Sequence, residues 1–244
     1  KDAYKSVKWA LNAGYRLIDT ASFYKNEKEV GKAIKDSDVP REEIFITTKV
    51  WDTEQGYDNT IEAYKNSLNR INIDYLDLYL IHWPRKKRKE TWEAMQDLYR
   101  EGDIKAIGVA NFAIQHLKEF LKNFDVVPTV NQVEFSPFLY QTELLEYCRK
   151  NKIKLEAYSP LTHGRKLNHP TLRNIAEKYD KSTAQILIRW GLQHRLIEIP
   201  KSSNKDHIYQ NADVFDFELV EKDMQSLDSL DESFRLLDDT SKWK

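Results

Sequence analysis

A (β/α)8 barrel is the fold class this sequence predicts, and three observations carry it. Short apolar runs alternate with longer amphipathic stretches along the 244-residue chain. No Gly/Pro/Ser-rich linker interrupts the alternation, and only 7 glycines occur, too few for long flexible connections. No G-x-G-x-x-G turn follows the first run, where an open doubly wound sheet normally places its phosphate loop.

The chain opens on an amphipathic helix, residues 3–12 (AYKSVKWALN), and not on a strand. Seven strand-like runs follow: residues 16–20 (RLIDT), 44–50 (IFITTKV), 76–82 (LDLYLIH), 106–111 (AIGVAN), 129–134 (TVNQVE), 154–159 (KLEAYS) and 197–202 (IEIPKS). Between them, apolar residues three and four apart mark helices, as in residues 60–71, 91–99 and 182–192. Ser182 stands three residues before Gln185, the spacing of a capping box. Alternating strands and helices imply parallel βαβ units. Seven runs are one short of a closed barrel, so an eighth strand is expected before Lys1, with residues 1–244 forming one N-terminally incomplete barrel domain.

Composition narrows the function. Hydrophobic residues make up 41% and aromatics 12%, enough for a sizeable core. The formal net charge of −1 argues against nucleic acid or a membrane surface as the main partner. A single cysteine, Cys148, permits no internal disulfide and points to a reducing compartment. No apolar run approaches the ~20 residues of a membrane span, and no leader is visible. A soluble cytoplasmic protein, acting as a monomer, is expected. The histidines show no metal-ligand spacing, so no metal is expected. The basic run at residues 85–89 (RKKRK) reads as a solvated loop better than as a nucleic-acid patch.

Nearly every strand-like run ends on a polar group: Asp19, Lys49, His82, Asn111, Gln132 and Glu134, Ser159, Lys201. In a barrel these ends converge on the face that carries the active site. Singly, Asp19 could cap a turn, Lys49 could reach solvent, and His82 could be a satisfied core histidine. Their joint placement suggests more. A tyrosine titrates near ~10, too high for easy proton exchange at neutrality. A neighbouring ammonium lowers that value, and a carboxylate holds the ammonium in place. Tyr24, Lys49 and Asp19 supply these parts, and the phenol is expected to be lowered on balance. A neutral His82 could orient a substrate oxygen. Such a site protonates a carbonyl oxygen but needs a hydride, so a nicotinamide cofactor is implied.

The segments YRLIDTASFYKNEKEVGKAI, TTKVW, LDLYLIHWP, IKAIGVANF, NQVEFSP, AYSPL and IPKSSNKDHIYQNADVFDFEL occur in the order of the aldo-keto reductase signatures. The sequence resembles that family over nearly its whole length, and most closely its short-looped microbial branch, related to diketogluconate reductases and prostaglandin F synthases. The resemblance implies NAD(P)H-dependent reduction of aldehydes or ketones, with Asp19, Tyr24, Lys49 and His82 in the catalytic places and Tyr24 as general acid. It places Asn111 and Gln132 at the nicotinamide carboxamide, Tyr158 against the nicotinamide ring, and Ser159 and Leu161 beside the pyrophosphate. Lys201, Ser202, His207 and Asn211 fall in the segment that holds the adenosine end. Trp51, Trp83 and Phe112 are expected to form an apolar substrate wall. Ala110 stands where the family usually has serine, His207 where many members carry an arginine, and Gln210 where glutamate is frequent. NADPH is therefore the expected cofactor, with NADH usable, and a small carbonyl compound the expected partner. Two other readings are a Schiff-base lyase using Lys49 and a cofactor-binding regulator with little turnover.

Overall fold

The computed structural model describes residues 2–243 and divides into two compact units, Lys1–Asn131 with Thr240–Lys244, and Gln132–Asp239. The first unit begins with helix α1 (Asp2–Asn12), strand β1 (Leu17–Asp19) and helix α2 (Glu27–Lys35). It continues with β2 (Phe45–Val50), α3 (Tyr57–Ile71), β3 (Leu78–Ile81), α4 (Arg88–Glu101), β4 (Ile107–Ala110) and α5 (Ile114–Asn123). Strand β5 (Val130–Glu134) crosses the division. The second unit adds α6 (Thr142–Lys150), β6 (Lys154–Tyr158), α7 (Pro170–Tyr179), α8 (Thr183–Gln193), β7 (Ile197–Glu198), α9 (Lys205–Ala212) and α10 (Glu221–Asp228).

In the first unit β1, β2, β3 and β4 lie side by side, all parallel, with Leu17 opposite Phe45, Thr47 opposite Leu78 and Tyr79 opposite Ile107. Residues 46–50, 78–81 and 107–110 are buried on both faces, the pattern of a parallel sheet covered by helices. In the second unit β6 pairs in parallel with β7 through Glu156 and Ile197. Each of the seven apolar runs thus contains a strand. The last is shorter than its run, because Pro200 has no N–H to continue a ladder. Ser182 caps α8 as its spacing indicated, accepting from Gln185 N while Gln185 answers to Ser182 N. Cys148 is fully buried in α6.

Buried carboxylates outside the predicted site tie the first unit together. Asp77, just before β3, accepts from Ile46 N at 3.0 Å and pairs with Arg41 at 2.8 Å and Lys105 at 3.1 Å. Glu27, buried at the start of α2, takes Thr48 Oγ1 at 2.6 Å and Arg70 Nε at 2.5 Å. In the second unit Glu134, at the end of β5, accepts the backbone N–H groups of Leu236 and Leu237 at 2.8 and 3.1 Å, tying down the chain after α10.

Helices α2 and α3 approach closely at Gly31, where an added Cβ would lie 1.8 Å from the Ile71 carbonyl oxygen. Helix propensity alone says that Gly31→Ala gains about 1 kcal/mol. The backbone contact reverses the sign: overpacking of this kind costs about 1–3 kcal/mol. Urea unfolding of the variant should therefore show a lower midpoint than the parent; a higher midpoint would mean the two helices separate freely.

Candidate active site

Four of the predicted residues come together in the first unit. Asp19 ends β1 and Lys49 lies near the end of its neighbour β2, so the pairing of the two strands brings the side chains into reach. Lys49 is fully buried. Its Nζ donates to Asp19 Oδ2 at 2.6 Å and to the Thr20 carbonyl at 2.8 Å. Tyr24 stands in a 3-10 turn after β1, with Lys49 Nζ 5.1 Å from its ring centroid. His82 follows β3, and its ring meets that of Tyr24 edge-on at 5.7 Å.

The electrostatics differ from the sequence expectation at one point. Desolvation raises the Tyr24 hydroxyl above its ordinary value; Lys49 lowers it and Asp19 raises it further, and the balance is upward. The expected net lowering is thus corrected: the ammonium acts in the expected direction but loses to desolvation. The phenol keeps its proton at neutral pH. His82 is pushed down to about 3, first by burial and then by the Lys49 charge, and is a neutral imidazole. Its Nδ1 is enclosed without a hydrogen-bond partner. Because an unmet acceptor is less costly than an unmet N–H, the proton belongs on Nε2, which becomes the donor.

An aromatic surface adjoins these groups. Trp51 packs on His82 at 5.0 Å, Trp83 stacks on it at 6.4 Å, and Phe23 stacks on Trp51 at 3.9 Å. Trp243, near the end of the chain, lies 5.4 Å from Trp83. Phe112, expected on the same wall, is instead 1% exposed. It packs edge-on against Phe120 and His116 at 4.9 and 5.7 Å, so it is a core residue.

Asn111 and two residues that the sequence reading missed, Glu54 and Asn131, hold this geometry. Glu54 Oε2 accepts from Ser22 Oγ at 2.6 Å and from Trp51 N at 3.0 Å, fixing the turn that carries Tyr24 beside the strand end that carries Trp51. Asn111 has left-handed backbone (φ 62°) and donates from Nδ2 to the His82 carbonyl at 2.9 Å. Asn131 clamps the next residue, donating to Phe112 O at 2.9 Å and accepting from Phe112 N at 3.3 Å. A polar Asn inside the apolar run of β5 was the one available signal for that clamp.

The remaining predicted residues lie in the second unit. Gln132 Nε2 donates to Glu156 Oε1 at 2.7 Å in a buried pair. Tyr158 ends β6, and Ser159 follows in left-handed backbone (φ 52°) with Oγ 3.1 Å from His163 Nε2. Leu161 precedes a 3-10 turn. Lys201 is exposed, and Ser202 Oγ accepts from Asn204 N at 3.0 Å. Asn204 in turn caps α9 through Asp206 N and His207 N, and Asn211 is buried in that helix. Among the described residues no helix is long and apolar enough to cross a membrane, and no group of three or more His, Cys, Asp and Glu is placed to hold a metal ion.

The His82 environment has a measurable consequence. An unfolded imidazole takes up a proton near its ordinary 6.5, whereas the folded one does so only near 3. The neutral ring's contribution to stability is complete above the upper value and is lost as the pH falls between the two. The ring should stay neutral from pH ~5 to 8, the range in which an ordinary histidine titrates. Nitrogen chemical shifts read this directly, and a midpoint within that range would refute the enclosed site.

The family model described as Aldo/keto reductase family matches residues 1–232. Glyoxal reductase of Bacillus subtilis (strain 168) is 53% identical over 236 residues, which span 96% of this chain and 86% of that protein. The crystal structure of MGS-M4, an aldo-keto reductase enzyme from a Medee basin deep-sea metagenome library, superposes with a TM-score of 0.97. It is 48% identical and covers 100% of this chain and 92% of its own. A Bombyx mori aldo-keto reductase, solved in complex with NADP, gives a TM-score of 0.92 at 37% identity, covering 98% of this chain and 86% of its own. The strand–helix alternation is thus that of the (β/α)8 barrel. The chain belongs to the aldo-keto reductase family and is an oxidoreductase.

Proposed function

We propose that this protein reduces aldehydes or ketones to alcohols with NADPH, with Tyr24 as the general acid. The observation that carries the reading is the fully buried Lys49 ammonium, fixed by Asp19 and the Thr20 carbonyl and facing the Tyr24 ring, near a neutral His82. Tyr24 donates its proton to the carbonyl oxygen as charge develops there, and its raised value means the proton is present to donate. Lys49 limits how high that value climbs and stabilises the phenolate left behind. His82 Nε2–H orients the same oxygen without competing as an acid. Trp51, Trp83 and the exposed Phe23 offer apolar surface to the substrate.

Each unit, taken by itself, carries groups of the kind a nicotinamide nucleotide needs. In the first unit Asn111, held through its Nδ2, presents an amide for the carboxamide. In the second unit Gln132 is a second amide, Tyr158 a ring-stacking aromatic, and Leu161 flanks the Ser159 turn. Ser159, Lys201, Ser202 and His207 supply hydroxyl, ammonium and imidazole groups suited to phosphates, with Asn211 on the same helix as His207. When bound, the cofactor supplies the hydride that no side chain can. A Schiff-base role for Lys49 is disfavoured, because a buried ammonium satisfied by a carboxylate and a carbonyl is no nucleophile. The glyoxal reductase name of one relative makes small dicarbonyls the first substrates to assay.

Tyr24→Phe should lower kcat for carbonyl reduction by about 10²–10⁴-fold while NADPH binding stays near that of the parent. Turnover within a few-fold of the parent would remove the acid assignment. Lys49→Met should also slow reduction. It should move the alkaline limb of the pH–rate profile upward, since the group that lowers the phenol is gone. An unmoved limb would show that the two groups are uncoupled.

His207→Arg tests the cofactor reading. A permanent, planar cation there should tighten NADPH by about 1.5–3 kcal/mol at most and leave NADH nearly unchanged. Equal tightening of both cofactors, measured by titration, would place residue 207 away from the 2′-phosphate.

A further inference from the structure

His116, buried in the first turn of α5, is engaged at both ring nitrogens. Its Nδ1 accepts from Ala113 N at 3.2 Å, the role a capping box usually gives to a glutamate or glutamine at this helix position. An Nδ1 that accepts leaves the ring proton on Nε2. That Nε2–H meets the Trp243 carbonyl at 3.2 Å, 127 residues away in sequence. Helix capping explains the first bond but not the second. The neighbouring Gln115 reinforces the second, donating from Nε2 to the Ser241 and Trp243 carbonyls at 2.7 and 3.2 Å. Two adjacent side chains thus strap residues 241–243 to the start of α5.

The strap lies against the candidate site. The Trp243 ring is 5.4 Å from Trp83, which stacks on His82 at 6.4 Å, and the Arg85 guanidinium covers Trp243 at 4.2 Å. The Trp83 backbone is fixed separately, its carbonyl accepting from Gln55 Nε2 at 2.8 Å. Its indole, between His82 and Trp243, has one neighbour that depends on the strap.

A neutral ring suits this clasp and a charged one does not. On protonation Nδ1 gains a hydrogen that points at the Ala113 N–H, donor against donor in a buried place. The ring must then move, and Nε2–H leaves the Trp243 carbonyl with it. The charges facing the ring are Arg88 from α4 and Glu119 from α5, and Glu119 is paired with Arg88 and Lys89 at 2.9 Å each. Burial is the leading cause that moves His116 below its ordinary 6.5; Arg88 acts the same way, while the Trp243 carbonyl and Glu119 oppose. The neutral ring's contribution is therefore complete above 6.5 and is lost as the pH falls through the lowered value.

We infer that His116 is a positioning residue for the reductase site: its neutral ring clasps the strap, holds Trp243 against Trp83, and releases both when protonated. The inference rests on the carbonyl-reductase reading.

Two measurements on the parent need no variant. Nitrogen chemical shifts should show the His116 proton on Nε2 at neutral pH. Hydrogen exchange at the amides of residues 241–243, relative to an unstructured peptide of the same sequence, should rise as that imidazole titrates, with one shared midpoint below 6.5. An Nδ1–H tautomer, or strap exchange that ignores the His116 titration, overturns the inference. His116→Gln keeps a residue able to cap α5 but removes the titrating ring. It should raise KM for para-nitrobenzaldehyde at neutral pH about 2- to 10-fold, with kcat nearly that of the parent, and strap exchange should lose its pH dependence. An unchanged KM or an unchanged exchange profile overturns the inference. In a Trp243→Ala background the same substitution should leave KM where it is, because the two residues act by one route; additive effects overturn it. A parent that turns over no aldehyde with NADPH overturns the reductase reading instead, and the exchange measurements then judge the clasp alone.

Discussion

The buried ammonium of Lys49 is the constraint on which the rest of the site depends. A cation removed from water is tolerated only where partners replace its hydration. Asp19 Oδ2 and the Thr20 carbonyl accept two of its protons, and the Tyr24 ring centroid lies 5.1 Å away. The same charge lowers both Tyr24 and His82. The chemical effect is opposite in the two cases. For the phenol, lowering favours the charged form; for the imidazole, it favours the neutral one. Desolvation then sets the balance, holding both groups in the uncharged, proton-donating state at neutral pH. One ion pair at the ends of two adjacent strands thus acts on both groups at once.

The surroundings of that pair are built to resist movement. Glu54 bridges the Tyr24 turn and the Trp51 backbone, and Asn111 is held to the His82 carbonyl. Left-handed backbone at a non-glycine residue carries strain and persists only where neighbours impose it; asparagine tolerates it better than most. The Asn131 clamp on the next residue supplies that imposition. Phe112 serves the same end by filling the core beneath the turn, which explains why a residue in a cofactor-associated motif shows no open face.

Local periodicity made the strand–helix alternation legible, because each element buries its own apolar face and needs no distant information to announce it. Ser182 and Gln185 were legible for the same reason, as a cap is a contact between near neighbours. The convergence of Asp19, Tyr24, Lys49 and His82 followed from parallel strands sharing one reactive end. What escaped depends on distant parts of the chain. Trp243 meets Trp83 across a long sequence separation, Glu54 joins Ser22 to Trp51, and neither leaves a pattern in its own segment. The sign of the Tyr24 shift escaped for a subtler reason. The sequence names the charges around the phenol but not how much water its hydroxyl has lost, and here the lost water outweighs the charge.

Carboxylates at strand ends show why residue type alone does not assign a role. Asp19, Glu134 and Asp77 all stand beside a strand terminus. Asp19 meets a buried ammonium that in turn touches a phenol, so its charge is transmitted to a proton donor. Glu134 meets two backbone N–H groups and is spent on holding a chain segment in place. Asp77 meets a backbone amide and two surface-reaching cations at the opposite strand end, where it fixes the start of β3. The three carboxylates are chemically alike, and their partners alone separate them. A carboxylate whose fully buried cation lies against a phenol can act on a reaction, whereas one whose partners are backbone amides or cations that reach the surface is a strut. By that criterion Asp19 belongs to the proposed chemistry and the other two to the scaffold.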